Sequence, residues 1–291
     1  MMEIRQVGVL GCGIMGSGIA QVVAQKGIPV VAWDVSDEAL TRGRNAIGTF
    51  LDKEIARGKG TPEGKASTLA AIRWTRDLAD LSGADLLIEA VIEDLGVKKD
   101  LFARMDAVAR KGAILATNTS VLPVTEIAAA TKRPEDVLGM HFFNPAQRMK
   151  LVELVSGELT APETVAAAEA FARGMAKETV RVKDAPGFIV NYLFIPYINS
   201  ALSFYDKGLA TREDLDKAIR LGLGYPMGPL ELCDLIGLDT HLHATEAIHG
   251  ENGDPRFVPP TILRRMVRAG RLGKKSGQGF YDYRGKDGAG R

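Results

Sequence analysis

The spacing of apolar residues changes character several times along the chain. Val7–Leu10 (VGVL) is a short run with no polar face, the pattern of a strand buried on both sides in a parallel sheet. A glycine-rich stretch follows. Over residues 15–26 the apolar positions then recur at helical spacing, with Gly27 placed to cap the helix end. A second apolar run, residues 29–33, closes on Asp34, so the chain opens with a strand–helix–strand unit. Residues 37–73 are polar with a helical period broken near positions 58–62, which predicts a helix pair inserted after the second strand. Short apolar runs return at 85–91, 113–116, 137–140 and 151–155. Helical patterns such as KKDLFARMDAVARK and VTEIAAATKR separate several of them. Strands alternating with helices predict an open, mostly parallel α/β sheet.

Beyond residue 183 the pattern turns helical. Residues 188–205 are almost continuously apolar, and residues 212–221 form a further helix with Thr211 as its N-cap. Only the short GFYDY near the end has a strand-like pattern. The boundary is placed at Lys183-Asp184-Ala185-Pro186-Gly187, giving a first domain of residues 1–185 and a smaller helical domain of residues 186–291. Hydrophobic residues at 46%, charged residues at 25% and a net charge of +1 are ordinary for a globular protein. They argue against nucleic acid or a membrane surface as the main partner. No apolar run approaches the roughly 20 residues that span a bilayer. The N-terminal MMEIRQVGVLGCG reads as neither a signal nor a transit segment. The two cysteines, Cys12 and Cys233, show neither disulfide nor metal spacing, so the chain is expected in a reducing, cytoplasmic compartment.

Gly11-Cys12-Gly13-Ile14-Met15-Gly16 matches G-x-G-x-x-G, a weak signal alone but a strong one between a strand and a helix. In that setting Gly11 makes the tight turn, Gly13 lets a pyrophosphate approach the helix N-terminus, and Gly16 allows close helix–strand packing. Gly18 extends the small surface. Asp34, at the end of the second strand, accepts from ribose hydroxyls and repels a 2′-phosphate, which selects NAD over NADP. The pattern predicts a Rossmann-type doubly wound fold. FAD is the competing cofactor, and a glycine-rich helix start that binds nothing is the plain alternative.

Three further segments place polar residues where strands end or domains meet. Asn118 and Ser120 follow the strand at 113–116 and point to the cofactor crevice, although Ser120 could instead cap the helix near 124–130. His141, one of four histidines, stands at the carboxyl end of the strand at 137–140, with Glu153 twelve positions on inside another apolar strand. Asn191 lies in the apolar helix after Pro186-Gly187, where a buried amide needs partners. Read singly, His141 is a core histidine and Asn191 a packing residue. His241, His243 and His249 have no metal-ligand set and no assigned role, and Met149, Met175 and Met227 read as core or surface methionines.

The blocks VGVLGCGIMGSGIA, LLIEAVIEDLGVKKDLF, ATNTS, GMHFFNPAQRMKLVELV, KDAPGFIVNYLFIPYINSA, LGLGYPMGPLELCDLIGLDT and GKKSGQGFYDY together resemble the 3-hydroxyacyl-CoA dehydrogenase family, most of all its short bacterial 3-hydroxybutyryl-CoA members. The resemblance spans nearly the whole chain. It implies that His141 is the catalytic base with Glu153 as its partner, and that Ser120 and Asn191 hydrogen-bond the reacting oxygen. It assigns cofactor contacts to the glycine loop (Gly11, Cys12, Gly13, Ile14, Met15, Gly16), Asp34, Ala90, Glu93, Lys98, Asn118, Ser120, Asn144 and Lys275. The inserted helices would meet coenzyme A, with Lys53 and Arg57 as phosphate contacts. Phe50 departs from the polar residue that relatives often carry there. The chemistry is coherent: removing the proton of a secondary alcohol while hydride leaves suits a histidine, and a carboxylate on its other nitrogen fixes the tautomer.

The resemblance thus implies an NAD-dependent oxidoreductase acting on an acyl-CoA in a cleft between the two domains. The apolar face of 188–205 is expected to form a homodimer interface. Two alternatives stay open: a relative acting on a free sugar acid such as L-gulonate, and a non-catalytic NAD-binding structural protein.

Overall fold

Every residue of β1 (Val7–Leu10) is buried, as a run with no polar face requires. The remaining strands are β2 (Val30–Trp33), β3 (Ile72–Thr75), β4 (Leu86–Glu89), β5 (Ile114–Thr117), β6 (Val137–Phe142), β7 (Leu151–Ser156) and β8 (Glu178–Lys183). They form one sheet in the order β3-β2-β1-β4-β5-β6-β7-β8. The first six strands run parallel. β7 then turns back antiparallel to β6, and β8 runs parallel to β7. The computed structural model describes residues 3–284, and the chain divides into two compact units, Met1–Phe188 and Ile189–Arg291. That division lies three residues beyond the boundary expected at 185/186.

Helices cover both faces of the sheet. Alternate strand residues such as Val7, Val9, Val30, Ala32, Leu86 and Ile88 face a core shared with α1 (Ile14–Ala24) and α2 (Asp37–Ala56). After α3 (Pro62–Ala70), the other face (Val31, Trp33, Leu87, Leu115) packs on α4 (Leu95–Val108) and α5 (Val124–Ala128). A last helix of this unit, α6 (Pro162–Gly174), joins the first core and carries the crossover from β7 to β8. This is the doubly wound α/β arrangement expected from the sequence. Strand order reverses between β1 and β4, and open α/β sheets bind ligands at the carboxyl ends of strands at such a point.

Two strands escaped the sequence pattern. Ile72–Thr75 falls in the stretch expected to be helical to residue 73, yet forms the edge strand β3, with Ile72 its only fully buried residue. β8, sequence ETVRVK, is the opposite edge, and its charged residues stay in solvent as edge strands require. Two smaller corrections concern ends. α1 stops at Ala24 with Gln25 as its C-cap, and Gly27 turns the chain at φ +74 two residues later. β6 runs on to Phe142, so His141 lies inside the strand rather than beyond it.

The second unit is helical: α7 (Val190–Asp206), α8 (Arg212–Leu223), α9 (Pro229–Ile236), α10 (Leu238–Asn252) and α11 (Thr261–Arg268). Thr211 caps α8 as its type predicts, its hydroxyl accepting the Asp214 N–H. Ile198, Leu202, Leu215, Leu230, Leu238 and Leu263 form the unit's own core. The GFYDY segment makes isolated bridges rather than a sheet strand, and the Asp234 carboxylate accepts the N–H groups of Phe280 and Tyr281. Among the described residues no helix is long and apolar enough to cross a membrane.

Candidate active site

The glycine turn is built as its spacing predicts. Gly11 adopts φ +95, and a Cβ there would lie 2.6 Å from the Ala90 carbonyl oxygen. A Cβ on Gly16 would lie 1.7 Å from the Gly11 oxygen, so only glycine lets α1 rest on the turn. Gly13 is the opposite case. It is the N-cap of α1, and nothing lies within 4 Å of the position its Cβ would take. The helix N-terminus thus presents bare backbone to open space, which fits an incoming pyrophosphate. Asp34 stands at the end of β2, where its Oδ2 accepts the Cys12 N–H at 2.7 Å. Burial first, then the Asp34 charge, pushes the Cys12 thiol up to about 12, which leaves it protonated and inert. Ile14, Val35 and Ile92 are 77%, 67% and 69% exposed, an apolar rim around the ends of β1, β2 and β4.

A buried charge network stands behind the ends of β4 and β5. The Lys98 ammonium on α4 is 1% exposed and touches Glu89 Oε1 at 2.6 Å and Glu93 Oε2 at 3.2 Å. Glu89 also accepts the Val91 N–H and the Thr117 hydroxyl. Glu93 accepts the Thr119 hydroxyl at 2.6 Å and the Ser120 N–H at 2.8 Å. Burial alone would raise the Glu93 carboxyl; the Lys98 charge and these hydrogen bonds outweigh it and hold it below the usual range. Ser120 therefore does not cap α5, whose N-cap is Pro123 without a side-chain bond. Its backbone is anchored to Glu93 instead. The Asn118 side-chain oxygen accepts the Phe142 N–H at 2.9 Å, tying the exit of β5 to β6 beside His141.

His141 and Glu153 are direct cross-strand partners in the β6–β7 ladder. Residues so opposed put their side chains on the same face, so the antiparallel turn-back aims the carboxylate at the imidazole. Nδ1 and Oε2 are 2.7 Å apart, with His141 5% exposed and Glu153 fully buried. An imidazole held this way keeps Nε2 as the nitrogen that can exchange a proton.

Other candidates are more dispersed. Ala90 follows β4 directly, Asn144 lies two residues past the end of β6, and Met15 is the second residue of α1. Lys53 and Arg57 are exposed on α2 and just beyond it, Arg57 paired with Glu54 at 3.2 Å. In the second unit Asn191 is the second residue of α7, and Lys275 pairs with Asp239 at 2.5 Å. Sequence reasoning overlooked Glu89 and Arg148. Glu89 could have been noticed as an acid inside the apolar run DLLIEAV. Arg148 binds Glu54 at 3.0 Å and lies over the Phe50 ring, a contact between distant segments that no local pattern reveals.

A dinucleotide seat combined with a buried acid–base couple equips a protein for nicotinamide-linked oxidation of an alcohol, and comparison with known proteins agrees with that class. Residues 6–185 match the model of the NAD binding domain of 3-hydroxyacyl-CoA dehydrogenase, and residues 187–283 match that of its C-terminal domain. The chain belongs to the 3-hydroxyacyl-CoA dehydrogenase family and is an NAD-dependent oxidoreductase of that family. It is 46% identical over 282 residues to a 3-hydroxybutyryl-CoA dehydrogenase of Mycobacterium tuberculosis, covering 96% of this chain and 99% of that protein. A probable 3-hydroxybutyryl-CoA dehydrogenase of Bacillus subtilis is 44% identical, with 98% and 99% covered. The crystal structure of (S)-3-hydroxybutyryl-CoA dehydrogenase from Ralstonia eutropha superposes with a TM-score of 0.92 at 42% identity, covering 97% of this chain and 99% of that one.

Proposed function

We propose that the chain interconverts an (S)-3-hydroxyacyl-CoA, 3-hydroxybutyryl-CoA in the first instance, and the corresponding 3-oxoacyl-CoA, with His141 as the proton carrier. The observation that carries this reading is the buried His141–Glu153 couple, set across adjacent strands at 2.7 Å. In oxidation, Nε2 of the neutral imidazole takes the hydroxyl proton, and Glu153 offsets the charge of the imidazolium that forms. In reduction, the same nitrogen returns the proton to the ketone oxygen. Bound nicotinamide supplies the acceptor or donor of hydride. The glycine turn and Asp34 hold the cofactor, the Glu93–Lys98 pair fixes the backbone of Ser120, and the Ser120 hydroxyl orients the reacting oxygen. Ala90, Asn118 and Asn144 line the cofactor side, and Lys53 and Arg57 meet the coenzyme A phosphates. Asn191 and Lys275 are assigned by resemblance, to the reacting oxygen and to the cofactor respectively.

The choice of a short acyl-CoA rests on the named substrates of the relatives above. The cytoplasm is the proposed compartment, supported by two free, buried cysteines. A homodimer is proposed through the second unit, where Leu193, Phe204, Leu209, Leu221 and Leu223 are exposed. Rapid NADH consumption with acetoacetyl-CoA is the expected result. Inactivity there, together with NAD-dependent oxidation of L-gulonate, would move the substrate to a free sugar acid.

A further inference from the structure

His141 has two aromatic neighbours that the acid–base roles above leave unused. The Phe143 ring lies 4.4 Å from the imidazole, centroid to centroid, tilted by 44°. The Phe188 ring lies at 5.8 Å and 58°. Phe143 comes from the segment after β6 and is half-buried. Phe188 comes from the end of the first unit, where it packs on Val124 and Val155 and is 4% exposed. The Phe188 backbone is the unusual feature. Ala185-Pro186-Gly187-Phe188 forms a turn closed by the Phe188 N–H on the Ala185 oxygen at 2.9 Å, with Gly187 at φ +80. Phe188 itself sits at φ +53. A left-handed conformation is natural for the glycine and costly for a bulky aromatic residue, and it persists only where the surroundings demand it.

We propose that Phe143 and Phe188 are positioning residues for His141. Their rings flank the imidazole, hold it on Glu153 and favour its protonated form, and the left-handed turn serves to deliver the second ring. A cation within about 6 Å of an aromatic centroid is attracted by the ring's quadrupole, an effect that grows where water is excluded. His141 is 5% exposed, so the imidazolium has little water to solvate it. The charged group bonded to the ring is Glu153, from β7, while β5 contributes the neutral Asn118 to the adjoining backbone. The two phenyl rings add polarisable surface in ring contact with the imidazole.

The proposal rests on the reading of His141 as proton carrier, and the test separates the two. Phe143→Leu and Phe188→Leu keep apolar volume and remove the quadrupole. In the full-length chain each should lower kcat for alcohol oxidation several-fold while the KM for NAD changes little. The acid limb of the kcat/KM profile should move to lower pH by about half a unit, a threefold change in the acid constant. Phe143 is half-buried, so its variant remains informative even if Phe188→Leu folds poorly. Phe188→Gly suits the φ +53 backbone but removes the apolar volume as well as the ring, and should be slower than Phe188→Leu. Unshifted limbs in the leucine variants, or full activity in Phe188→Gly, would overturn the proposal. His141→Ala is measured alongside. If it stays active, the acid–base reading falls and the proposal with it; if it is inactive while the limbs stay put, only the flanking-ring role falls.

Discussion

Glu153→Gln removes one charge from the site while preserving side-chain size. The native carboxylate is fully buried, with Oε2 2.7 Å from His141 Nδ1. That contact places the centres of carboxylate and imidazolium charge about 4 Å apart, where two unit charges attract by about 4 kcal/mol at an effective dielectric of 20. At about 1.4 kcal/mol per tenfold, losing that attraction in the charge-developing step corresponds to roughly a thousandfold in rate. A glutamine amide can also donate to Nδ1, which leaves the hydrogen on Nε2, the wrong nitrogen for accepting the substrate proton. The expected outcome is a fall in kcat for alcohol oxidation of about 10²–10⁴, with NAD affinity nearly unchanged. NADH absorbance under saturating cofactor reads the rate, and a urea melt confirms that the variant is folded. A folded variant losing less than about tenfold in kcat would refute the role given to the carboxylate.

Gly16→Ala forces a methyl against the Gly11 oxygen at 1.7 Å, so it should weaken NAD binding at least about tenfold and cost about 1–3 kcal/mol, checked by cofactor titration and urea unfolding. Glu89→Leu strands the Lys98 ammonium with Glu93 alone and should destabilise the fold by about 3–5 kcal/mol, while Glu89→Leu combined with Lys98→Met should recover much of that loss in the same melts. His241, 3% exposed and bonded to Asn199 at 3.0 Å, is lowered to about 4 by burial. Between its ordinary 6.5 and that value the unfolded chain binds a proton that the folded chain refuses. Stability contributed by the neutral ring is therefore complete above pH 6.5 and lost as pH falls toward 4, by up to about 3 kcal/mol. In His241→Gln that slope of stability against pH should flatten in equilibrium melts.

The elements legible in the sequence are those whose burial is one-sided or complete. Runs such as VGVL and LVELV are apolar because both sheet faces are covered, and Gly11, Gly13 and Gly16 are spaced by the turn they make. β3 and β8 were hidden for the opposite reason: as sheet edges they keep charged residues in water, so IRWT and ETVRVK lose the apolar signal. His141 and Glu153 could be suspected from polar residues in apolar strands. Their pairing depends on the turn-back of β7, which no local period specifies. The Glu89–Lys98–Glu93 network was only partly visible, since a lysine nine residues from a glutamate on another element carries no periodic mark.

The placement of the acid–base couple in the middle of a hydrogen-bonded ladder has a consequence for how activity fails. Backbone amides around positions 139–142 and 152–155 belong to a fully buried part of the sheet and should exchange with solvent deuterium only when the whole unit opens. The two side chains then have no low-energy route to drift apart. Heating should leave the couple aligned until the sheet itself melts, so loss of turnover and loss of folded protein should share one midpoint.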